Sequence, residues 1–164
     1  MITWMRFETP LGPMLALAED GALTGLDFTD AKYVRAIEPG WREDPASPLL
    51  LECARQVREY FAGRRRAFEL PLAPRGTGFQ RRVWTQIARI GYGETLTYAE
   101  LAKRSGAEGS ARAAGAATGR NPLAIVVPCH RVVGSRGSLT GYAGGVERKA
   151  RLLALEGAAE EALA

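Results

Sequence analysis

The segment Pro71-Leu72-Ala73-Pro74-Arg75-Gly76-Thr77-Gly78 limits what this chain can fold into more than any other stretch. Two prolines and two glycines in so short a run cannot continue a helix or cross the middle of a sheet. They divide the 164 residues into two units, 1–75 and 76–164, each the size of a small domain. The charge balance changes at the same place. Ten Lys and Arg face eleven Asp and Glu before the boundary, net −1, and twelve face seven after it, net +5. Basic charge confined to the second half points to an anionic partner there, a nucleic acid or a phosphorylated substrate. A merely soluble basic surface would carry the same charge. With 46% apolar and 24% charged residues, the chain can bury a core and is not disordered throughout. No apolar run approaches the roughly 18–20 residues of a membrane span. The opening Met1–Glu8 has neither a basic start nor a long apolar stretch, so no signal peptide is expected. Two cysteines cannot make a disulfide framework. A cytoplasmic protein without membrane contact is expected.

The first thirty residues read as β structure. Gly12-Pro13, Asp20-Gly21 and Gly25 punctuate short apolar runs at Met14–Ala18 and Ala22–Phe28, as hairpin connections do. Glu38–Pro48, with three prolines and a glycine, is expected to be loop. Leu49–Phe61 reads as a helix, with Leu50, Cys53, Ala54, Val57, Tyr60 and Phe61 at spacings of three and four. Cys53 on that apolar face is expected to be a buried, inert thiol. Arg64-Arg65-Arg66 follows as a solvated helix end.

Beyond the boundary, Phe79, Val83, Trp84, Ile87 and Ile90 share one helical face, stopped by Gly91 and Gly93. Thr97-Tyr98-Ala99-Glu100 has the pattern of a capping box at a helix start. A short helix to about Ser105, a turn at Gly106–Gly109 and a second helix from Ser110 to Thr118 make a candidate helix-turn-helix. Ala111, Ala113, Ala114, Gly115, Ala116 and Ala117 leave that second helix nearly bare apart from Arg112. Such a surface admits close approach of another helix or of a nucleic-acid groove, and composition alone favours close helix packing. Leu123–Val127 is expected to be a short buried strand that delivers Pro128-Cys129-His130-Arg131.

The only histidine of the chain thus stands beside one of its two cysteines. Cysteine reacts as the thiolate, and with an ordinary pKa near 8.5 little is ionised at neutral pH. A neighbouring imidazole can serve as base, directly or through a water. On a regular strand the two side chains would point to opposite faces, so they cooperate only if the backbone turns, as Pro128 permits. The other reading is a small buried thiol beside an exposed imidazole. Cys53, Cys129 and His130 are too few and too scattered for a zinc site, and no metal is expected. Gly137–Gly145 is a glycine-dense loop with one aromatic, Tyr142, able to stack on a planar ligand or to anchor the loop. Val146–Leu155 reads as a basic amphipathic helix. Glu156 at its end is disfavoured by the helix dipole unless a cation offsets it.

Ile125-Val126-Val127-Pro128-Cys129-His130-Arg131-Val132-Val133 resembles the active-site signature of O6-alkylguanine-DNA alkyltransferases, also called methylated-DNA–protein-cysteine methyltransferases. Gly91-Tyr92-Gly93-Glu94-Thr95, Thr97-Tyr98, Ala111-Arg112-Ala113, Gly119-Arg120-Asn121-Pro122 and Thr140–Gly145 follow that family's order and spacing. Coverage is near-complete from Phe79 to Glu156. The first half is similar more loosely, through Thr9–Met14 and Tyr60-Phe61-Ala62-Gly63. The stand-alone bacterial form is the nearest in length.

The resemblance implies an α+β protein. A ribonuclease H-like α/β domain with an antiparallel sheet would precede a mostly helical domain containing the helix-turn-helix. It implies a DNA-repair protein that flips O6-alkylguanine, chiefly O6-methylguanine, out of duplex DNA and moves the alkyl group irreversibly and stoichiometrically to Cys129. By the same resemblance His130 takes the thiol proton through a water, Glu156 orients His130, Tyr98 assists the leaving guanine and Asn121 braces the turn before Cys129. Carbonyls of Cys129 and Val132 would accept from the guanine amino group, the Ala143 amide would face O6, and Tyr142 would wall the pocket. Many relatives have serine at position 143. Ala111, Ala113 and Gly115 would enter the minor groove and Arg112 would fill the gap left by the base. The implied partner is double-stranded DNA, bound by a monomer without cofactor; a structural zinc is not expected, because residues 1–75 hold one cysteine and no histidine. Two alternatives stay beside this reading: a lesion-binding module with an unreactive Cys129, and a Cys-His hydrolase.

Overall fold

Tight turns between short apolar runs build the first half. In the computed structural model, which describes residues 1–158, strands β1 (Thr3–Phe7), β2 (Met14–Glu19) and β3 (Ala22–Phe28) form an antiparallel meander. The end of the expected second domain, 159–164, lies outside the described residues. Asp20 and Gly21 join β2 to β3 with φ of 51° and 77°, the paired positive φ of a two-residue hairpin turn. Gly25 does not punctuate as expected. It lies inside β3 opposite Leu17, where a Cβ would stand 2.9 Å from Leu17 Cδ1, so glycine lets that side chain lie across the strand. Nor is Glu38–Pro48 wholly loop, because Arg42–Glu43 forms β4, parallel to β1. The sheet order is β3-β2-β1-β4, antiparallel except at this short edge. Helix α1 (Pro48–Phe61) starts at Ser47, whose hydroxyl accepts from the Leu50 amide, and buries Leu50, Cys53, Ala54 and Val57 against the sheet. Arg65 beyond it is tied to Glu59 rather than freely solvated.

The Pro/Gly segment is held along its course. Leu23 donates to the Pro71 carbonyl and the Ala73 amide donates back to Leu23, at 2.8 and 2.9 Å, so these residues run beside β3. Gly76 then passes under the Trp84 ring, which any Cβ would strike. Helix α2 (Gly78–Ala88) opens with a full capping box between Thr77 and Gln80. The box expected at Thr97 and Glu100 forms only by half. Thr97 caps α3 (Tyr98–Arg104) by accepting from the Glu100 amide, but the Glu100 carboxylate turns to Arg104. Leu96–Thr97, as β5, pairs in parallel with β6 (Val132–Val133). After a turn with Gly106 and Gly109 at φ of 83° and 85°, Ser110 caps α4 (Ala111–Gly119).

The small residues of α4 pack against the core on one side and leave the other side bare. Ala114, Ala117 and Thr118 pack inward, with Trp84 Nε1 donating to the Ala117 carbonyl at 2.8 Å, while Ala111, Arg112 and Ala116 are exposed. Leu123–Val127 is not the regular strand expected. Leu26 donates to the Pro122 carbonyl and accepts from the Ala124 amide, so one bridge to β3 forms before the chain bends at Ile125. Helix α5 (Val146–Leu155) closes the described fold. No helix among the described residues is long and apolar enough to cross a membrane.

One apolar core runs from Met5, Phe28 and Val57 through Trp84 and Leu101 to Leu123, Cys129 and Leu152. The two halves therefore share their interior. Urea unfolding followed by tryptophan fluorescence and by far-UV circular dichroism should give one coincident transition. Leu26→Ala, at the junction and 1% exposed, should lower stability by about 2–5 kcal/mol; two separate transitions would contradict a shared core.

Candidate active site

The route into the site is a pair of very tight turns. The Val126 amide donates to the Ala124 carbonyl and the Cys129 amide to Val127, each at 2.8 Å, enclosing single residues at Ile125 and Pro128. Ile125 has φ of 72°, a conformation a β-branched residue adopts only when its surroundings force it. Asn121 supplies much of that force. Its amide donates to the Val127 carbonyl at 2.8 Å and to Leu123 at 3.4 Å, and its Oδ1 accepts from the Leu123 amide at 3.0 Å. The chain then makes one 3-10 turn at Cys129–Arg131. With three residues per turn, Cys129 and His130 no longer point to opposite faces, as they would on a strand.

Glu156 is the centre of the buried polar cluster. Its carboxylate accepts from Arg131 Nε and Nη2 at 2.8 and 3.0 Å, from Tyr60 Oη at 2.5 Å, and pairs with His130 Nε2 at 2.7 Å. Arg131 also donates to the Ile90 carbonyl at 2.7 Å. Burial alone would raise the carboxyl, but the bonds from His130, Arg131 and Tyr60 outweigh it and bring its pKa to about 2. His130 is fully buried, so the exposed imidazole of the alternative reading does not occur. Burial pushes its pKa below the usual 6.5, against the pull of Glu156 and with the Arg131 and Lys149 charges adding to the fall. A neutral ring bonded through Nε2 to an ionised carboxylate must carry its proton there. Nδ1 is then an open lone pair, and it has no partner among the described residues.

Cys129 is 7% exposed, and burial pushes its thiol up to about 11, with the Asn121 amide opposing. It borders a void of about 10 Å³ shared with Asp27, Asn121 and Tyr142, room for roughly one water. Ala143 and Tyr142 also line the neighbouring pocket of about 570 Å³, whose far wall is Ala111, Arg112, Gly115 and Tyr98. Gly144 is required here, since a Cβ would stand 2.7 Å from the Tyr142 ring and 3.2 Å from Phe28. The Tyr142 hydroxyl is buried without a partner among the described residues. The Ala143 amide has no backbone acceptor among the described residues. Val132 is buried, and its amide donates to the Cys129 carbonyl. Ala113 is half-buried, and Arg112 is exposed at the pocket edge.

Four participants escaped the sequence reading: Arg131, Tyr60, Asp27 and Lys149. Lys149 is fully buried, with no carboxylate partner among the described residues. It donates to the Thr140 carbonyl at 3.0 Å and to Tyr98 Oη at 3.3 Å, and burial lowers its pKa to about 8. Tyr98 in turn donates to the Thr140 carbonyl at 3.1 Å. The glycine-dense loop is thus tied down at 140–141. A signal for Lys149 did exist. Lys149, Leu152, Leu153 and Glu156 recur at i, i+3, i+4 and i+7, the pattern of one helix face, so a lysine and a glutamate stood among leucines. Asp27, whose burial raises its carboxyl to about 7, had no such mark. Cys53 is buried in the core and pushed up to about 12 by burial, far from reactive. Among the described residues no three His, Cys, Asp or Glu side chains group to hold a metal.

Comparison with known proteins is consistent along the chain. Residues 78–158 match the family model for the 6-O-methylguanine DNA methyltransferase DNA binding domain, and 2–74 match that for its ribonuclease-like domain. A methylated-DNA–protein-cysteine methyltransferase of Mycolicibacterium paratuberculosis is 46% identical over 95% of this chain and 93% of its own length. One from Methanosarcina acetivorans is 45% identical over 92% and 96%. The crystal structure of Mycobacterium tuberculosis OGT in complex with DNA superposes with a TM-score of 0.86 at 41% identity, covering 99% of both chains. The fold and the two family models define a cysteine-acceptor transferase. The chain belongs to the methylated-DNA–protein-cysteine methyltransferase family, DNA-repair proteins that move an alkyl group from DNA to a cysteine of their own. That membership displaces the hydrolase alternative.

Glu156 carries a testable consequence. Its folded pKa lies below the ordinary value of 4.5, so the stability it contributes is present above about pH 4.5 and is lost as pH falls toward 2. Glu156→Gln should cost about 3 kcal/mol at pH 7 in urea unfolding. The gap to the parent protein should close on acidification through that window; a gap independent of pH would refute it.

Proposed function

We propose that Cys129 is the alkyl acceptor and that O6-alkylguanine, chiefly O6-methylguanine, reaches it by flipping from duplex DNA into the pocket between α4 and the 140–143 loop. The observation that carries this is a buried thiol in the same 3-10 turn as a buried imidazole whose Nδ1 has no partner among the described residues. A thiol titrating near 11 is ionised about once in ten thousand molecules at pH 7, so a base is needed. His130 Nδ1 takes the thiol proton through one water, and Glu156, with Arg131 beside it, holds the ring and stabilises the imidazolium. Sγ attacks the alkyl carbon, the carbon–O6 bond breaks, and its electron pair stays with the guanine. Tyr98, hydrogen-bonded by the Lys149 ammonium, gives its proton to the departing guanine and recovers one from solvent. The imidazolium releases the thiol proton to solvent, so the net transfer is one proton from thiol to guanine. The amide of Ala143 faces O6, the carbonyls of Cys129 and Val132 accept from the exocyclic amine, and Tyr142 forms a wall. The thioether has no route back to a thiolate, so each molecule acts once.

Double-stranded DNA is the partner. The exposed, nearly bare side of α4 suits a minor groove only about 6 Å wide, with Ala111, Ala113 and Gly115 approaching closely. Arg112 fills the space of the extruded base and offsets part of the few kcal/mol that flipping costs. Asn121 links that helix to Cys129. We take residues 1–75 and 76–164 as the two domains, the protein as a cytoplasmic monomer, and the reaction as free of cofactor.

Duplex DNA carrying one O6-methylguanine should add a single methylene to the tryptic peptide Asn121–Arg131, seen by mass spectrometry, and none in Cys129→Ser. Tight binding without that mass would make the protein a lesion-binding module instead.

A further inference from the structure

Tyr33 is an aromatic ring left 40% exposed in the stretch between β3 and β4, and two cations crowd it. The Arg120 guanidinium lies 3.7 Å from the ring centroid and the Lys32 ammonium 5.2 Å. Like charges gathered on one ring repel each other, and a nearby carboxylate would ordinarily settle them. None does. Among the described residues neither Lys32 nor Arg120 is ion-paired, whereas neighbouring Arg35 holds Glu38 and Arg148 holds Asp30. The position of the cluster is as telling as its charge. Lys32 and Tyr33 line the active-site pocket with Arg112 and Tyr98, and the Lys32 amide donates to the Ala143 carbonyl at 2.9 Å. Arg120 is the C-cap of α4.

We propose that Lys32 and Tyr33 of the N-terminal half and Arg120 at the end of α4 form a phosphate clamp that grips the DNA backbone a few base pairs from the flipped base. The proposal rests on the reading that the exposed side of α4 meets DNA. Arg112 and Arg120 are eight residues apart, about 12 Å along the helix, and a duplex advances 3.4 Å per base pair. The clamp would therefore hold phosphates at most about three or four base pairs from the lesion. Tyr33 serves as the platform. Cation–π attraction holds the two positive groups in place before DNA arrives, so less of their freedom is lost on binding. Contacts of this kind are independent of sequence, as a protein searching all DNA needs.

The test is affinity for undamaged duplex by fluorescence anisotropy between 50 and 200 mM salt. A Lys32→Gln/Arg120→Gln double variant should reduce the log–log salt slope by about 2 and weaken binding at least tenfold at low salt. Tyr33→Ala should weaken it several-fold and Tyr33→Phe should not, since the ring alone makes the platform. The ratio of alkyl-transfer rates from duplex and from free O6-methylguanine base should fall in the double variant. An unchanged slope and ratio, while Arg112→Ala still impairs the duplex reaction, would overturn the clamp and leave the reading of α4 intact. If Arg112→Ala also changed nothing, both would fall.

Discussion

An ionised carboxylate buried in a protein interior costs several kcal/mol unless charge and hydrogen bonds surround it, and Glu156 is such a group. Its position at the C-cap of α5 adds the repulsion of the helix dipole. The Arg131 fork, the Tyr60 hydroxyl and His130 answer both costs together. These partners come from α1 and from the 3-10 turn after Pro128, while Glu156 itself ends α5. Satisfying one carboxylate therefore fixes how the first helix, the last helix and the cysteine-bearing turn meet. Burial keeps His130 neutral against the pull of that carboxylate, and the bond at Nε2 leaves Nδ1 open, so the interaction that holds the fold also orients the chemistry.

The N-terminal half contributes more than a platform. Tyr60 reaches the Glu156 carboxylate, Leu26 bridges to residues 122–124, and Asp27 borders the void beside Cys129. From the other side, Arg148 on α5 donates to the Leu11 carbonyl at 2.9 Å and to Asp30, with its guanidinium 4.2 Å from the Phe28 ring centroid. Loss of packing in the sheet would be felt at the thiol through β3, which lies directly against the turn that carries it.

Much of this was readable in the chain because the signals are local. Helical periodicity marked α1, α2 and α5 closely, and the Pro128-Cys129-His130-Arg131 run with its neighbouring motifs pointed to the right chemistry. What failed was also local, but overridden by tertiary contacts. Ile-Val-Val reads as strand by propensity, yet Asn121 folds 123–127 into tight turns that propensity disfavours. Gly25 looked like punctuation because a glycine that makes room for Leu17 is indistinguishable from one that makes a turn. The short β4, β5 and β6 pairings have too few residues for any period to register. Arg131 and Tyr60 lie within the family-like motifs without a legible role, since only folding across 96 residues brings the tyrosine to Glu156. Asp27 belongs to a strand whose alternation gives no hint of a cysteine beneath it.

The account turns on the protonation of His130, the only histidine in the chain, which makes its imidazole signals unambiguous. Nitrogen-15 NMR of the histidine-labelled protein between pH 5 and 8 measures the state of each ring nitrogen. The predicted result is a neutral ring with the proton on Nε2 and a bare Nδ1, titrating only below the ordinary 6.5. An imidazolium already present at pH 7, or a neutral ring protonated at Nδ1, would leave no base for the thiol and would contradict the account.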